Sequence, residues 1–222
     1  MMIPSEGGAP TFNTMTVVVD YDLGNVGSLL NMLKKAGLQA KLSGDPEVIR
    51  SATRLFLPGV GSFDTGMANL DRLGIRPALE EAVLERKVPI LGICLGFQLL
   101  TKSSEEGVLP GLGWLDAETV ALRKLSGIPD LRVPHMGWSR AFPRHLSLFA
   151  GLEDDARFYF VHTFAVKEET CRDTVLATTE YGCRFVSSAG KSHIAGTQFH
   201  PEKSHRYGLT LLQNFVANFP CP

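Results

Sequence analysis

One cysteine stands where a nucleophile would be exposed on a tight turn. In the stretch "LGICLGFQLL" an apolar run leads to Cys94, which lies between Gly92 and Gly96. This glycine, x, nucleophile, x, glycine pattern is typical of a sharp turn from a strand into a helix, where a Cβ would clash. Unpaired N–H groups at the start of a helix favour the thiolate, and the N–H of Leu95 could donate to an oxyanion. Taken alone, such a cysteine is more often a buried core residue.

The stretch "GTQFHPEKS" supplies the partners that such a nucleophile needs. His200 and Glu202 are two residues apart, with Pro201 between them. Proline favours an extended conformation in the residue before it, and in an extended chain residues i and i+2 point to the same side. A carboxylate on one ring nitrogen fixes the tautomer and favours the imidazolium that forms when the other nitrogen takes a proton. Singly, each residue would be read as a surface group, but together with the turn at Cys94 they predict a Cys-His-Glu triad.

A glycine-rich loop offers a second oxyanion donor. In "FLPGVGSF", Gly59 and Gly61 follow a strand-like run, and the N–H groups near Gly59 and Val60 could reach an oxyanion if the loop lies beside Cys94. The alternative is a simple turn between a strand and a helix. The spacing is neither the dinucleotide fingerprint nor a P-loop, so a dinucleotide or ATP site is not expected.

The elements that must position these residues alternate between strand and helix in the first half of the chain. Apolar β-branched runs and segments of helical periodicity follow one another from residue 16 to residue 104, whereas short β-rich pieces and one last helix, from about Tyr207 to Ala217, follow Gly111. Parallel neighbours need long crossovers, which this alternation provides. We therefore expect an α/β fold: a flavodoxin-like, open and mainly parallel sheet with helices on both faces and additional antiparallel strands in the C-terminal half.

Composition restricts the function classes. The chain of 222 residues carries 22 Lys and Arg against 23 Asp and Glu, a net charge of −1, which gives no reason to expect nucleic acid or a membrane as partner. The four cysteines form no C-x-x-C pair and no zinc-like cluster, so we expect neither metal nor cofactor, and a reducing, cytoplasmic setting. Residues 1–14 are predicted to be a disordered extension, and residues 15–222 a single domain.

Read in order, six stretches resemble a known family. These are "PGVGSF", "GICLGFQLL", "SSEEG", "VPHMGW", "YFVHTF" and "GTQFHPEKS". From about Thr16 to Phe215 the chain resembles the class I, triad-type glutamine amidotransferases, and within them the glutaminase subunits of imidazole glycerol phosphate synthase, an enzyme of histidine biosynthesis. The resemblance implies that Cys94 attacks the side-chain amide of glutamine, that His200 and Glu202 move the proton, and that water cleaves the resulting thioester.

The resemblance also assigns the surrounding residues. Carried over to matching positions, the substrate contacts are Gly61, Gln98, Glu106, Thr163 and Phe164, and the oxyanion donors lie at Leu95 and at Gly59 and Val60. By residue type alone, Glu106 would be a solvated surface carboxylate. In the family, a peptide of the oxyanion loop is thought to need reorientation before it can donate.

The implied partner is a cyclase with a (β/α)8 barrel, which receives the ammonia through an internal channel. The resemblance puts six residues near the partner surface: Pro134, His135, Met136, Trp138, Tyr159 and Lys203. A run such as His135 to Trp138 is otherwise more often a buried turn, although aromatic residues and Met are enriched at interface cores.

Three positions depart from the family pattern, and two other functions stay open. Asp22 stands where Gly is common, Phe164 where an aromatic hydroxyl is common, and His193 where Asn is expected. The other functions are a related amidotransferase or γ-glutamyl hydrolase, and a binding or regulatory protein that keeps the fold without the chemistry.

Overall fold

A computed structural model describes residues 15–24, 26–171 and 174–221. The extension predicted over residues 1–14 lies outside this range. Among the helices described, none combines the length and the apolar character needed to cross a membrane.

The first half of the chain alternates strands and helices as predicted. In chain order its elements are β1 (Thr16–Val19), α1 (Val26–Lys35), β2 (Ala40–Ser43), α2 (Pro46–Ser51), β3 (Arg54–Gly59), α3 (Phe63–Arg72), α4 (Ile75–Glu80), a π-helical turn (Glu81–Glu85), β4 (Ile90–Cys94) and α5 (Leu95–Leu99).

The second half is richer in short strands. Its elements are β5 (Ser103–Ser104), β6 (Glu118–Ala121), α6 (Leu122–Ser126), β7 (His135–Arg140), β8 (Phe142–Pro143), β9 (Arg157–His162), β10 (Phe164–Val166), a 3-10 turn (Glu168–Thr170), β11 (Val175–Glu180), β12 (Arg184–Lys191), β13 (Ile194–Thr197), a second 3-10 turn (Pro201–Lys203) and α7 (His205–Asn218).

The central sheet is mainly parallel, which confirms the predicted fold class. Strands β2, β1, β3, β4 and β13 lie side by side in that order, all parallel, and β12, β10 and β6 continue the sheet in antiparallel fashion. Strand β13 is a finding in its own right, because it belongs to the C-terminal half and yet joins the parallel part of the sheet. As a result, β4 has a parallel neighbour on each side, and the carboxyl ends of three strands meet at one edge.

Helices cover both faces of this sheet because the strands alternate their side chains. Val17 and Val19 point into one core with residues of α3 and α4, such as Met67, whereas Val18 points into the other with Leu29 of α1. Helix α7 packs on this second face through buried leucines. Burial on both faces explains why the parallel strands read as continuous apolar runs.

Three local features differ from the sequence-based reading, and a fourth explains a departure from the family pattern. The helix after Cys94 ends at Leu99, sooner than its apolar run indicates, and α7 begins at His205. Strand β7, which pairs with β9 as a separate two-stranded sheet, was not predicted as a strand. Asp22, one of the departures noted above, has φ of 63°, a conformation that glycine adopts without strain, which accounts for the glycine common at this position in the family.

Candidate active site

Cys94 sits on a strained turn between β4 and α5. Its backbone has φ of 55° and ψ of −109°, and the residue is 7% exposed. The flanking glycines are required by space: a Cβ on Gly92 would lie 2.8 Å from the carbonyl oxygen of Gly96, and a Cβ on Gly96 would lie 1.7 Å from that of Leu57. Only glycine therefore allows α5 to fold back so closely over β3 and β4.

His200 and Glu202 form a buried pair next to this turn. The Nδ1–H of His200 donates to Oε1 of Glu202 at 2.7 Å, and their side chains are 3% and 7% exposed. His200 has an extended backbone, with φ of −99° and ψ of 97°, and Pro201 starts the 3-10 turn that carries Glu202. The expected contact between His200 and Glu202 is present, but a 3-10 turn, and not the expected extended chain, brings the two side chains together.

The sheet brings His200 to Cys94 across about a hundred residues of sequence. Strand β13 runs parallel to β4, with Thr197 opposite Ile93, so the residues that follow the two strands emerge at the same edge. Burial lowers the pKa of His200, but the interactions with Cys94 and Glu202 outweigh it and raise the pKa to about 10. The Nε2 of His200 makes no hydrogen bond with any described residue in this structure, and its interaction with Cys94 contributes to the raised pKa. This arrangement suits a thiolate nucleophile beside an imidazolium.

The loop after β3 lies directly beside Cys94. Gly59 stands opposite Cys94 in the register of β3 and β4. A Cβ at Gly59 would lie 2.1 Å from the hydroxyl of Tyr21 and 3.0 Å from Cβ of Leu95, so glycine is the residue that fits there. Gly61 has φ of 126°, and Val60 between the two glycines is 42% exposed. The proximity that the oxyanion hypothesis requires is present.

A cavity of about 290 Å³ opens at Cys94 and gathers most of the residues singled out from the sequence. Nine of its lining residues were predicted: Val60, Gly61, Cys94, Leu95, Gln98, Glu106, Pro134, Thr163 and Phe164. Two were not, namely Val161 and His162. Gly59, His200 and Glu202 are not among its lining residues.

Glu106 is held at the mouth of this cavity by a helix end. Its Oε2 accepts a hydrogen bond from the backbone N–H of Phe63, the first residue of α3, at 2.9 Å. Partial burial raises the pKa of the Glu106 carboxyl, the N–H of Phe63 opposes this, and the charge of Asp64 adds to it. The carboxylate is therefore an anchored group facing the cavity rather than a freely solvated one.

Sequence reasoning missed Gln198, which contacts the nucleophile. Its Nε2 lies 3.8 Å from Cys94 Sγ, and its Oε1 accepts a hydrogen bond from Gln98 Nε2 at 3.0 Å. Gln198 is fully buried. The signal was present in "GTQFHPE", because Gln198 precedes His200 by two residues and the same i, i+2 argument applies to both.

An exposed aromatic and apolar face lies beside the site. Met136 and Trp138 are 61% and 42% exposed. The Trp138 ring stacks on His205 at 5.3 Å between centroids, and Nζ of Lys203 lies 5.6 Å from the centre of the Tyr159 ring. His135, expected at the same surface, is instead buried at 2% exposure, because alternate residues of β7 point inward.

Two of the three departures have clear local roles. The Nε2–H of His193 donates to the carbonyl of Val83 at 2.7 Å, which ties the β12–β13 turn to the π-helical turn. Phe164 contributes its backbone carbonyl to the cavity region, where Nε2 of Gln98 donates to it at 3.0 Å. Within the described ranges, no group of three or more His, Cys, Asp or Glu is arranged to hold a metal ion.

Sequence and structure comparisons relate this chain to known proteins. Relatives include imidazole glycerol phosphate synthase subunit HisH 2 of Methanococcus maripaludis, 49% identical over 205 residues (91% of this chain, 98% of the relative), and HisH 2 of Pseudomonas aeruginosa, 43% identical over 203 residues (91% and 98%). Solved structures with the same fold include PurLQS from Thermotoga maritima, with a TM-score of 0.69 and 17% identity over 93% of this chain and 99% of that chain. A glutamine amidotransferase from Thermotoga maritima gives a TM-score of 0.62 at 16% identity, over 92% and 81%.

The family model for class-I glutamine amidotransferases matches residues 17–219, which is nearly all of the described fold. Because this match includes the turn at Cys94 and the pair of His200 and Glu202, and because relatives of 43% to 49% identity align along almost their whole length, the chain belongs to the class-I glutamine amidotransferase family.

Proposed function

We propose that the chain is the glutaminase subunit of imidazole glycerol phosphate synthase, acting in histidine biosynthesis. The observation that carries the proposal is the buried arrangement of Cys94 with the hydrogen-bonded pair of His200 and Glu202 at the carboxyl edge of the sheet. The names of the relatives supply the pathway, since each described above is a HisH subunit of that synthase and is matched over almost its full length.

The reaction proceeds through a covalent thioester. The sulfur of Cys94 attacks the side-chain amide carbon of glutamine, and the C=O electrons move to oxygen. When the tetrahedral intermediate collapses, the C–N bond breaks, and His200 gives a proton to the departing nitrogen, which leaves as ammonia. Water, deprotonated by His200, then attacks the thioester and releases glutamate and the free thiol. Glu202 holds the imidazole in orientation and stabilises its charged form throughout.

The oxyanion and the substrate are bound by the residues around the cavity. The N–H of Leu95 and one from Gly59 or Val60 donate to the oxyanion, and loss of one such donor costs about a hundredfold or more in rate. Reorientation of the exposed peptide at Val60 would therefore be sufficient to switch hydrolysis on. The glutamine lies against Gly61, Gln98, Glu106 and the backbone of Thr163 and Phe164, with Glu106 taking its ammonium group.

The partner is the cyclase subunit, which seats on the face formed by Met136, Trp138, Tyr159 and Lys203, with Pro134 at its edge. An exposed Trp and Met with a half-buried Tyr, next to a positive charge, have the composition of an interface core. The cyclase uses the ammonia to make imidazole glycerol phosphate and aminoimidazole carboxamide ribotide. No cofactor takes part in the glutamine hydrolysis.

The test is a glutamine hydrolysis assay with and without the cyclase subunit and its nucleotide ligand. We expect slow hydrolysis by the chain alone and a large increase when both are added. Cys94→Ala should abolish hydrolysis while the complex still makes product from added ammonium. The matched control is Cys183→Ala, which removes a half-buried thiol away from the cavity and should leave hydrolysis unchanged. Strong hydrolysis without a partner would favour a γ-glutamyl hydrolase. Activation by another synthase would favour a related amidotransferase, and no hydrolysis under any condition would favour a binding protein.

A further inference from the structure

Two buried histidines outside the triad form a hydrogen-bonded pair beside the cavity. His135 of β7 and His162 of β9 are register partners, 2% and 6% exposed, with Nδ1 of His135 3.0 Å from Nε2 of His162. His162 lines the cavity. The proposed chemistry of the triad uses neither of them.

The direction of every hydrogen bond in this pair follows from the carbonyl at one end and from the neutrality of both rings. The Nδ1 of His162 lies 2.8 Å from the carbonyl oxygen of Phe164, which can only accept, so Nδ1 carries the hydrogen. Burial lowers the pKa of His162 to about 3; repulsion from the imidazolium forms of His135 and His200 adds to this, and the hydrogen bond to Phe164 opposes it. Burial likewise lowers the pKa of His135 to about 4. Both rings are therefore neutral at physiological pH, and Nε2 of His162 must accept from Nδ1–H of His135.

The row of hydrogen bonds that includes the two histidines ends at Ser139, on the same strand as His135. Since His135 donates through Nδ1, its Nε2 has a free lone pair, and the hydroxyl of Ser139, 2.8 Å away, must donate to it. As a result, each group donates to the next: Ser139 to His135, His135 to His162, and His162 to the carbonyl of Phe164. Both rings are Nδ1–H tautomers.

The carbonyl of Phe164 also accepts the first hydrogen bond of a second row, which ends at the nucleophile. Its other lone pair accepts from Nε2 of Gln98 at 3.0 Å, which fixes which end of that carboxamide is the nitrogen. The second hydrogen of this nitrogen goes to Oε1 of Gln198, so Nε2 of Gln198 must be the atom that faces Cys94 Sγ. A single acceptor thus orients both carboxamides.

We propose that His162 and His135, with Ser139, are positioning residues that hold the Phe164 carbonyl in place and through it orient Gln98 toward glutamine and Gln198 toward the Cys94 sulfur. This inference rests on the proposed function. It deepens that function by naming residues that set the substrate site without touching the reacting atoms.

The row of hydrogen bonds from Ser139 to Phe164 lies directly beneath the face assigned to the cyclase. Along β7 the side chains of His135 and Ser139 point inward, while those of Met136 and Trp138 point outward. A partner bound to the outer face of β7 therefore contacts the same strand that carries His135 and Ser139 on its inner face. Docking and substrate binding share one structural element, a two-stranded sheet separate from the central one.

The first test determines the tautomers directly by NMR. Imidazole ¹⁵N chemical shifts and couplings of the isolated chain near pH 7 distinguish the two neutral tautomers, and single His→Asn variants assign the signals. We expect both His135 and His162 to be neutral with the hydrogen on Nδ1. An Nε2–H tautomer or a charged ring at either position would overturn the proposal, whatever the outcome of the activity assay.

The second test compares two replacements of His162 in the complex with the cyclase and its ligand. The amide nitrogen of Asn can stand where Nδ1 stands and still donate to Phe164, whereas Phe fills the space without a donor. We expect His162→Phe to raise KM for glutamine about tenfold, the size expected for losing one hydrogen bond at a binding group, with a smaller change in kcat. His162→Asn should stay within about threefold of the parent KM.

Equal KM values in the two variants would show that His162 only fills space. The control is His193→Asn. This histidine hydrogen-bonds the carbonyl of Val83, away from the cavity, so the change should leave KM and kcat unchanged. If the parent shows no partner-dependent hydrolysis, the proposed function fails, while the tautomer measurement still decides the hydrogen-bond chain.

Discussion

Gly59 and Cys94 stand opposite each other in the register of the parallel strands β3 and β4. The loop proposed to donate to the oxyanion and the turn that carries the nucleophile are therefore set at the same height by one hydrogen-bonded ladder. The contact is close enough to exclude a side chain at Gly59, because a Cβ there would meet the Tyr21 hydroxyl at 2.1 Å. The relative position of the two loops is fixed by backbone pairing rather than by side chains.

Strain at Cys94 should be measurable by replacing it with glycine. A φ of 55° with ψ of −109° is sparsely populated by residues with a Cβ and costs about 1 to 3 kcal/mol. Cys94→Gly removes that strain but increases the entropy of the unfolded chain by about 0.5 to 1 kcal/mol. We expect Cys94→Gly to have a free energy of unfolding about 1 kcal/mol above that of Cys94→Ala, measured by urea denaturation. Both lack the thiol, so an alanine variant of equal or greater stability would contradict the strain.

Gly96 in the turn and Gly66 in α3 differ sharply in whether they tolerate a side chain. A Cβ at Gly96 would press on the carbonyl oxygen of Leu57, part of a buried strand, so Gly96→Ala should lower the free energy of unfolding by about 3 kcal/mol or more. Gly66→Ala in α3 is the matched control. Its Cβ would meet side-chain methyl groups, those of Leu99 at 3.1 Å and one of Leu95 at 3.6 Å. Because alanine favours the helix by about 1 kcal/mol, we expect a change within about 1 kcal/mol. Equal unfolding curves for the two variants would rule out the close packing at Gly96.

Glu202→Gln should lower the pKa of His200, which Cys94 and Glu202 hold at about 10 against the effect of burial. A carboxamide loses the charge that favours the imidazolium. We expect the NMR titration of the His200 ring to move to lower pH, and glutamine hydrolysis in the complex to fall by roughly tenfold to ten-thousandfold. Glu153→Gln, which changes an exposed carboxylate paired with Arg206, should affect neither quantity.

The same pair makes a prediction about stability and pH. A histidine whose pKa is raised on folding, here from 6.5 to about 10, binds more protons in the folded state between those values. Its stabilisation is complete below pH 6.5 and is lost as the pH rises through 10. The gap in unfolding free energy between the parent and Glu202→Gln should therefore be widest near pH 6.5 and should close toward pH 10. A gap that widens over this range would show that Glu202 does not stabilise the charged ring.

Tyr21→Phe should not destabilise the protein. The hydroxyl of Tyr21 is buried beneath Gly59, no described residue hydrogen-bonds it, and burial together with the charge of Cys94 raises its pKa, so it stays neutral. A buried hydroxyl without a partner costs about 1 to 3 kcal/mol, so removing it should leave stability unchanged or increase it by about 1 kcal/mol. Tyr181→Phe is the matched control, because its hydroxyl donates to the carbonyl of Arg132 at 2.7 Å and its loss should cost about 1 kcal/mol.

Local sequence patterns were sufficient for the parts of the site that depend on short spacings. Periodicity predicts the apolar strands with their helices, and backbone sterics explain the glycines around Cys94. The two-residue spacing of His200 and Glu202 indicates their contact. The structure confirms the mainly parallel sheet that these patterns predict. Even Asp22, noted only as a departure, marked a backbone position with positive φ.

Long-range pairing could not be predicted in the same way. Nothing local in β13 indicates that it lies parallel to β4, because a short apolar strand reads alike in either direction. The pair of His135 and His162 depends on the register of β7 with β9, and Pro134 and Gly137 obscure β7 as a strand in the sequence. The family resemblance placed His135 at the partner surface, whereas the pleat of β7 turns it inward.

The parallel position of β13 has a consequence for how the site comes into existence. During synthesis, β3 and β4 emerge early and can pair at once, so the thiol and the loop beside it are assembled before the base has been made. His200 arrives only when β13 pairs with the open edge of β4, about a hundred residues later. A nascent or partly folded chain thus carries a cysteine that has no proton acceptor, and the capacity to attack an amide appears only as the sheet closes.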